Sequence, residues 1–202
     1  IGPHELTVEL EGYVTYRRKI DLSAGERAEV YAELVVPTDI ESASRTAESI
    51  FEAPASVSVI PRLEIEAFDY ANLQDALLGA RGVYLTDNGA YHAAGFRGFS
   101  PYGDYSNRVQ IQLDGHNMND DWLGQGFIEF DNMVGLHHLE RIEILRGPGS
   151  TLHGSGAIFG VINMVTPERV NKREVQVGTA IFGENTFGGW TNVKVPLGDD
   201  AG

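Results

Sequence analysis
The sequence predicts an α+β chain: many short strands joined by tight corners, with a few short helical stretches. Three observations carry this. Apolar residues alternate with polar ones in several separate stretches of the chain, the period of a half-buried strand. A helical period stands out in one region, at Leu73, Ala76, Leu77 and Ala80. Glycine supplies 24 of the 202 residues, about 12% against a usual share of about 7%, which favours turns over long helices.

In chain order, His4 to Val36 reads as a three-stranded antiparallel meander with one buried face. Leu6, Val8 and Leu10 alternate, then Tyr16, Arg18, Ile20 and Leu22, then Ala28 through Val36, with Ser23-Ala24-Gly25-Glu26 as a turn. The stretch LEGYVTYRRKIDLSAGERAEVYAELV resembles the end of a PEGA-type or carboxypeptidase-regulatory-like module, a small β-sandwich, and sets a first unit at 1–37. A generic β-meander fits the same residues. Residues 38–55 are small, polar and acidic between Pro37 and Pro54, the composition of a linker.

Ser56 to Pro61 alternates as a strand, and Arg62 to Phe68 introduces a helix for which Asp69 is the expected N-cap and Gly82 the stop. Val83 and Leu85 open another strand. Asp87 to Tyr105 is loop-rich and aromatic. Val109, Ile111 and Leu113 then lead into Asp114-Gly115, a strong tight-turn dipeptide, so Arg108 to Asp121 reads as a hairpin. Trp122 to His138 is a connection anchored by Trp122, Phe127, Ile128 and Phe130. His137 and His138, with Glu140 nearby, suggest a metal at first sight. On an alternating strand adjacent side chains face opposite ways, so no metal site is expected there.

Leu139 to Pro167 is the most informative stretch. Ile142, Ile144 and Leu145 form one strand-like run and Val161, Ile162, Met164 and Val165 another, around Pro148 and five glycines. A dinucleotide fingerprint requires a helix directly after the glycines, and only Ser155 to Phe159 offers a helical turn. A P-loop requires Gly-Lys-Ser/Thr, and no Lys lies in the stretch. A tight strand–loop–strand corner fits the residues.

The same stretch resembles the C-terminal signature of the plug domain of TonB-dependent outer-membrane receptors. The matching positions are Glu140, Arg141, Ile142, Glu143, Arg146, Gly147, Pro148, Gly154, Ser155, Gly160, Val161, Ile162, Asn163 and Thr166; His153 stands where Tyr is usual. Leu73-Gln74-Asp75-Ala76-Leu77 with Gly82-Val83, Phe96-Arg97-Gly98-Phe99, and Leu113-Asp114-Gly115 resemble further parts of the same pattern. The resemblance implies a plug over 56–167 with a small mixed sheet and short helices, folded inside a 22-stranded barrel.

It also implies roles. Asp39, Ile40, Glu41, Ser42, Ala43 and Ser44 would be the TonB box, captured by added-strand pairing. Arg97, Ser100, Tyr102, Tyr105 and Trp122 would lie on substrate-binding loops. Glu143 and Arg146 would latch the plug to the barrel wall. The implied partners are TonB with ExbB and ExbD, the protein's own C-terminal barrel, outer-membrane lipid, and a scarce nutrient such as a siderophore or cobalamin. The place would be the outer membrane of a Gram-negative bacterium, with the N-terminal module in the periplasm.

Residues 168–202 read as the start of that barrel. Val175 to Ile181 and Thr191 to Leu197 alternate in runs near the length of a membrane-spanning strand. One more hairpin on the same domain fits the alternation as well. The chain begins without Met and ends Gly-Asp-Asp-Ala-Gly, which reads as a piece of a longer protein.

Composition narrows the function classes. A net charge of −14, with Arg17-Arg18-Lys19 the one short basic run, argues against nucleic-acid binding. Zero cysteines remove disulfides and thiolate metal sites. No Ser-His-Asp spacing, HExxH or paired-acid motif stands out, so neither an enzyme nor a cofactor is expected. The alternative reading is a soluble β-rich adhesion or carbohydrate-binding module of a surface protein.

Overall fold
The computed structural model describes residues 2–9, 15–23, 25, 27–32, 39–40, 48–49, 56–167, 173–182 and 186–195. Strands β1 (Gly2–Val8) and β2 (Tyr16–Leu22) pair antiparallel from Gly2↔Leu22 to Val8↔Tyr16. Leu6, Val8, Ile20 and Leu22 share a half-buried face. The expected third strand does not form over 28–32, and 33–36 lie outside the described residues. A two-stranded ribbon cannot bury a face by itself, which is why this face stays half-exposed. Two short strands follow, β3 (Asp39–Ile40) and β4 (Glu48–Ser49), paired antiparallel.

The core begins with β5 (Ser56–Pro61). Two helices follow where one was expected: α1 (Arg62–Phe68) and α2 (Leu73–Leu78). Asp69 does not open a helix. It closes α1 in the left-handed region (φ 49°), its N–H donating to Ile65 O at 3.0 Å. Aspartate tolerates this conformation better than most residues. The N-cap of α2 is Asn72, whose side-chain oxygen accepts Asp75 N–H at 3.0 Å. The helix stops at Leu78, and Gly82 (φ 76°) belongs to the turn after it.

That turn leads into β6 (Val83–Asp87), which pairs with β7 (His92–Phe96). Then come β8 (Val109–Leu113), β9 (His116–Asn117), a 3-10 turn at Leu136–His138, β10 (Arg141–Arg146), α3 (Ser150–His153) and β11 (Gly160–Val165). The short helix inside the glycine-rich corner is thus at 150–153 rather than 155–159. It begins directly after Pro148-Gly149 and is ended by Gly154 (φ 97°).

The main sheet is mixed, in the order β5-β10-β11-β8-β9. Strand β10 runs antiparallel to both of its neighbours, β5 and β11, while β11 and β8 are parallel. One face of the sheet is apolar. Ile60, Ile142, Ile144, Ile162, Met164 and Ile111 are buried there, against Ile65, Leu73 and Leu77 of the two helices. Each such side chain contributes about 1.5–3 kcal/mol of transfer free energy. The opposite face carries Leu145 and Val161 but also buried Glu143, Asn163 and Gln112.

Asp114 (φ 48°) and Gly115 (φ 77°) make the predicted tight turn between β8 and β9. The turn also ties down the exit from the sheet. Asp114 accepts Thr166 N–H at 2.8 Å and Thr166 Oγ1–H at 2.7 Å, and Gly115 N–H donates to Asn163 Oδ1 at 3.0 Å. Asp114→Ala is expected to lose about 1 kcal/mol and to speed amide exchange at Thr166, with Asp114→Asn retaining most of the protection. Exchange at Thr166 unchanged in the alanine variant would refute this.

Finally, β12 (Glu174–Phe182) and β13 (Thr186–Lys194) pair over nine positions. Their polarity is inverted relative to a water-soluble sheet. Val175, Val177, Phe187 and Val193 are exposed, whereas Gln176, Trp190 and Asn192 are partly or fully covered. Among the described residues no helix is long and apolar enough to cross a membrane, which says nothing about strands.

Candidate functional site
The residues expected on ligand loops cluster around the β6–β7 hairpin. Arg97 (φ 52°) and Gly98 (φ 86°) form a two-residue turn closed by Phe96 and Phe99, whose backbone bonds are 3.2 and 2.9 Å. Only residues that tolerate positive φ close such a hairpin without splaying it. The Arg97 guanidinium donates to Arg146 O at 3.0 Å. Ser100 Oγ lies 3.3 Å from Thr86 Oγ1, and Ser100 O accepts Tyr84 O–H at 3.4 Å.

Tyr102 is 80% exposed, its hydroxyl donating to Asn88 O at 3.4 Å. Tyr105 meets Tyr91 edge-on at 6.0 Å. Tyr105 and Ser106 are successive left-handed residues (φ 52° and 57°), a strained pair. Ser106 Oγ accepts Ala94 N–H at 2.9 Å and so ties the pair to β7.

Trp122 belongs to a different turn, built on Asp120. That carboxylate accepts N–H groups from Trp122 and Leu123 at 2.8 Å each and from Gln125 at 2.6 Å. These backbone donors hold the Asp120 carboxyl below the usual carboxylate range, the Leu123 N–H being the largest cause. The indole is 88% exposed and Phe130 71%, so neither is the apolar anchor expected of it; Ile128, at 1%, is. Gly126 N–H donates to Tyr105 O at 3.1 Å and joins this turn to the first cluster.

Beside the Asp120 turn lies a cavity of about 400 Å³, lined by Asn107, Arg108, Asn117, Asn119, Leu123 and Ser155 among others. Asn119 fixes its wall, accepting Ile111 N–H at 2.7 Å and donating to Val109 O and Gly124 O. Arg108 sits 3.7 Å from Asp104 and over the Phe159 ring. Burial pushes the Asp104 carboxyl up, and Arg108 acts against this. Amides, a hydroxyl and one guanidinium suit a polar ligand rich in acceptors. The sequence trace of this cavity is three separate asparagines, Asn107 before the Asp114-Gly115 turn and Asn117 and Asn119 after it.

Glu143 is fully buried and accepts Arg141 Nε–H at 2.7 Å. Arg146 donates to Arg81 O and, at 3.4 Å, to Val57 O. Burial lowers its pKa, with Arg81 and Arg97 adding to the effect. Of the expected TonB box, Asp39 and Ile40 form β3, and Glu41, Ser42, Ala43 and Ser44 lie outside the described residues. His153 is buried on α3, with Nδ1 at 3.1 Å from Gln112 Nε2.

His137 and His138 lie on the 3-10 turn rather than on a strand, so the strand-based argument about their faces does not apply. His137 stacks on Trp190 instead. Among the described residues no group of His, Asp and Glu is arranged to hold a metal ion.

A family model described as the TonB-dependent Receptor Plug Domain matches residues 49–161, and a PEGA-domain model matches residues 1–36. An iron-regulated outer membrane virulence protein of Vibrio cholerae is 38% identical over 149 residues, covering 69% of this chain and 22% of the relative. The vitamin B12 transporter BtuB of Vibrio vulnificus is 36% identical over 133 residues, 64% of this chain and 20% of the relative. The chain therefore spans only about a fifth of the length of these relatives. The fold matches the ferripyoverdine receptor of the outer membrane of Pseudomonas aeruginosa, with a TM-score of 0.63 at 21% identity over 80% of this chain and 20% of that one. The alcaligin outer membrane receptor FauA of Bordetella pertussis gives 0.61 at 21% identity over 81% of this chain and 27% of that one.

Proposed function
The chain belongs to the plug-domain family of TonB-dependent receptors, and from that premise we propose that it is the gating part of an outer-membrane transporter. In this reading residues 56–167 occlude the pore of a β-barrel that begins at β12. The protein binds a scarce nutrient of the siderophore or cobalamin kind. TonB, driven with ExbB and ExbD by the proton gradient, pulls the plug through the 38–55 linker. The protein transports and does not catalyse. Residues 1–37 would sit in the periplasm.

One observation supports the barrel half of this reading most directly. Strands β12 and β13 expose Val175, Val177, Phe187 and Val193 while covering Gln176 and Asn192. An apolar outer face and a polar inner face are what a strand between lipid and a plugged lumen requires. Two strands alone leave open edges that lipid does not tolerate, so the reading needs further strands in the whole protein. Binding would involve the exposed Tyr102 and Trp122 with Arg97, Ser100 and Tyr105. The alternative of a soluble adhesion or carbohydrate-binding module is displaced by the family match over residues 49–161.

The test is uptake by cells carrying the full-length gene under iron or cobalamin limitation. Deleting residues 39–44 is expected to abolish energised uptake while leaving ligand binding unchanged. Loss of binding as well would overturn the assignment of those residues as a coupling segment. Full uptake without them would place the coupling segment elsewhere.

A further inference from the structure
The covered face of β12–β13 meets the core at one corner. Trp190 crosses over Gly178, where a Cβ would lie 2.3 Å from the indole. Only glycine leaves room for the ring at that position. The same indole stacks on His137, with centroids 4.2 Å apart and planes 14° from parallel. His137 is held in place by its short 3-10 turn, between the buried residues Leu136 and Leu139.

A second contact lies beside the stack. Arg62, the first residue of α1, donates to Gln176 Oε1 at 3.3 Å. Asp69, which closes α1, is 3.7 Å from His137 Nε2. Around these contacts is a cavity of about 570 Å³ lined by Glu66, Asp69, His137, Gln176 and Trp190 among others.

We infer that the plug is seated on the first strand pair of the barrel through the His137–Trp190 stack, with Arg62–Gln176 as its second point. This rests on the reading of β12–β13 as barrel strands. The seam has a consequence for gating. Strand β5 is an edge strand of the main sheet and follows the linker directly, so a pull through the linker reaches it first. Arg62 comes next in the chain and belongs to the seam. The seated part of the plug therefore starts at residue 62, and the six residues of β5 are the part a pull can detach before the seam is loaded.

The titratable groups at the seam set its pH dependence. Burial lowers the His137 pKa first of all; Asp69 and Glu66 raise it and His138 lowers it. The unfolded or detached state binds the proton more readily. The seam is therefore at full strength above about pH 6.5, the ordinary histidine value, and weakens as pH falls toward the depressed folded value.

The experiment uses the full-length receptor in outer membranes. Thiols placed by His137→Cys with Trp190→Cys should be bridged by a short bis-methanethiosulfonate, each thiolate displacing one sulfinate, and those from His116→Cys with Trp190→Cys should not. His137→Ala should raise the rate of protease cleavage within 62–78 about two- to tenfold, the range for losing one aromatic pair. His137→Phe, which keeps a flat ring, should behave like wild type at pH 7 and lose the acid sensitivity. Absence of the 137–190 bridge in a correctly assembled receptor would overturn the seam. So would an alanine variant cleaved no faster than wild type, or a phenylalanine variant cleaved as fast as alanine. If the wild-type receptor does not fractionate with the outer membrane at all, the barrel reading has failed rather than the seam alone.

Discussion

Gly160→Val is expected to leave little folded plug, and Gly160→Ala to cost about 3 kcal/mol or more. Gly160 pairs with Arg146 on one side and Val109 on the other, at the start of β11. A Cβ there would stand 2.3 Å from Leu145 O and 3.0 Å from the Phe96 ring. The ring has some freedom, but the carbonyl belongs to the β10 backbone. It moves only if the β10–β11 ladder moves. Since whole domains are stable by about 5–15 kcal/mol, one methyl group at this point removes a large share. Gly154 supplies the control: its φ is +97° but its Cβ direction is open, so alanine there meets backbone strain and no collision. Hydrogen exchange of β8 and β11 amides in the assembled receptor measures both. Wild-type protection in the Gly160→Ala variant would sink the argument.

Gly160 also marks the boundary of what the sequence reveals. That glycines around Leu139–Pro167 make a tight corner was readable, because alternation on both sides implied strands and Pro148 excluded a continuous ladder. Which glycine bears the packing was not, since the atoms it must avoid come from Phe96 and Leu145. Strands β5, β8, β10 and β11 were legible from period-two alternation, and the Asp114-Gly115 turn from its dipeptide. The parallel pairing of β8 with β11 was not, because nothing local encodes a partner about fifty residues away.

Asp69 illustrates a local failure. A helix-flanking aspartate serves as an N-cap or, in the left-handed region, as a C-cap, and only the position of α1 decides between them. The candidate site divides the same way. Arg97, Ser100, Tyr102 and Tyr105 were named through the resemblance to the plug pattern, and the structure places them around one hairpin. The His137–Trp190 seam joins residues more than fifty positions apart. Its only sequence trace was a pair of histidines that invited a metal instead.

Glu143→Ala is expected to destabilise the plug by about 3–5 kcal/mol, the cost of leaving one partner of a buried ion pair uncompensated. Glu143 has no exposed surface, and its Oε1 takes Arg141 Nε–H at 2.7 Å. Removing the carboxylate leaves the Arg141 guanidinium, only 17% exposed at its side chain, against a sheet face with little water to receive it. The double variant Arg141→Leu with Glu143→Leu should recover most of the loss, because two apolar side chains of suitable volume often replace a buried pair without penalty. A double-mutant cycle gives the coupling, and residues in contact should depart from additivity by about 0.5–3 kcal/mol. Additive single losses would refute the pairing. The same variants test the proposed latch to the barrel wall. If Glu143 acts only within the plug, the double variant regains both stability and plug seating in the whole receptor. If it also latches to the wall, the double variant is stable but poorly seated, and Arg146→Glu shows the same defect. Unchanged uptake and seating in Arg146→Glu would remove Arg146 from the latch and leave the carbonyls of Arg81 and Val57 as the partners that account for it.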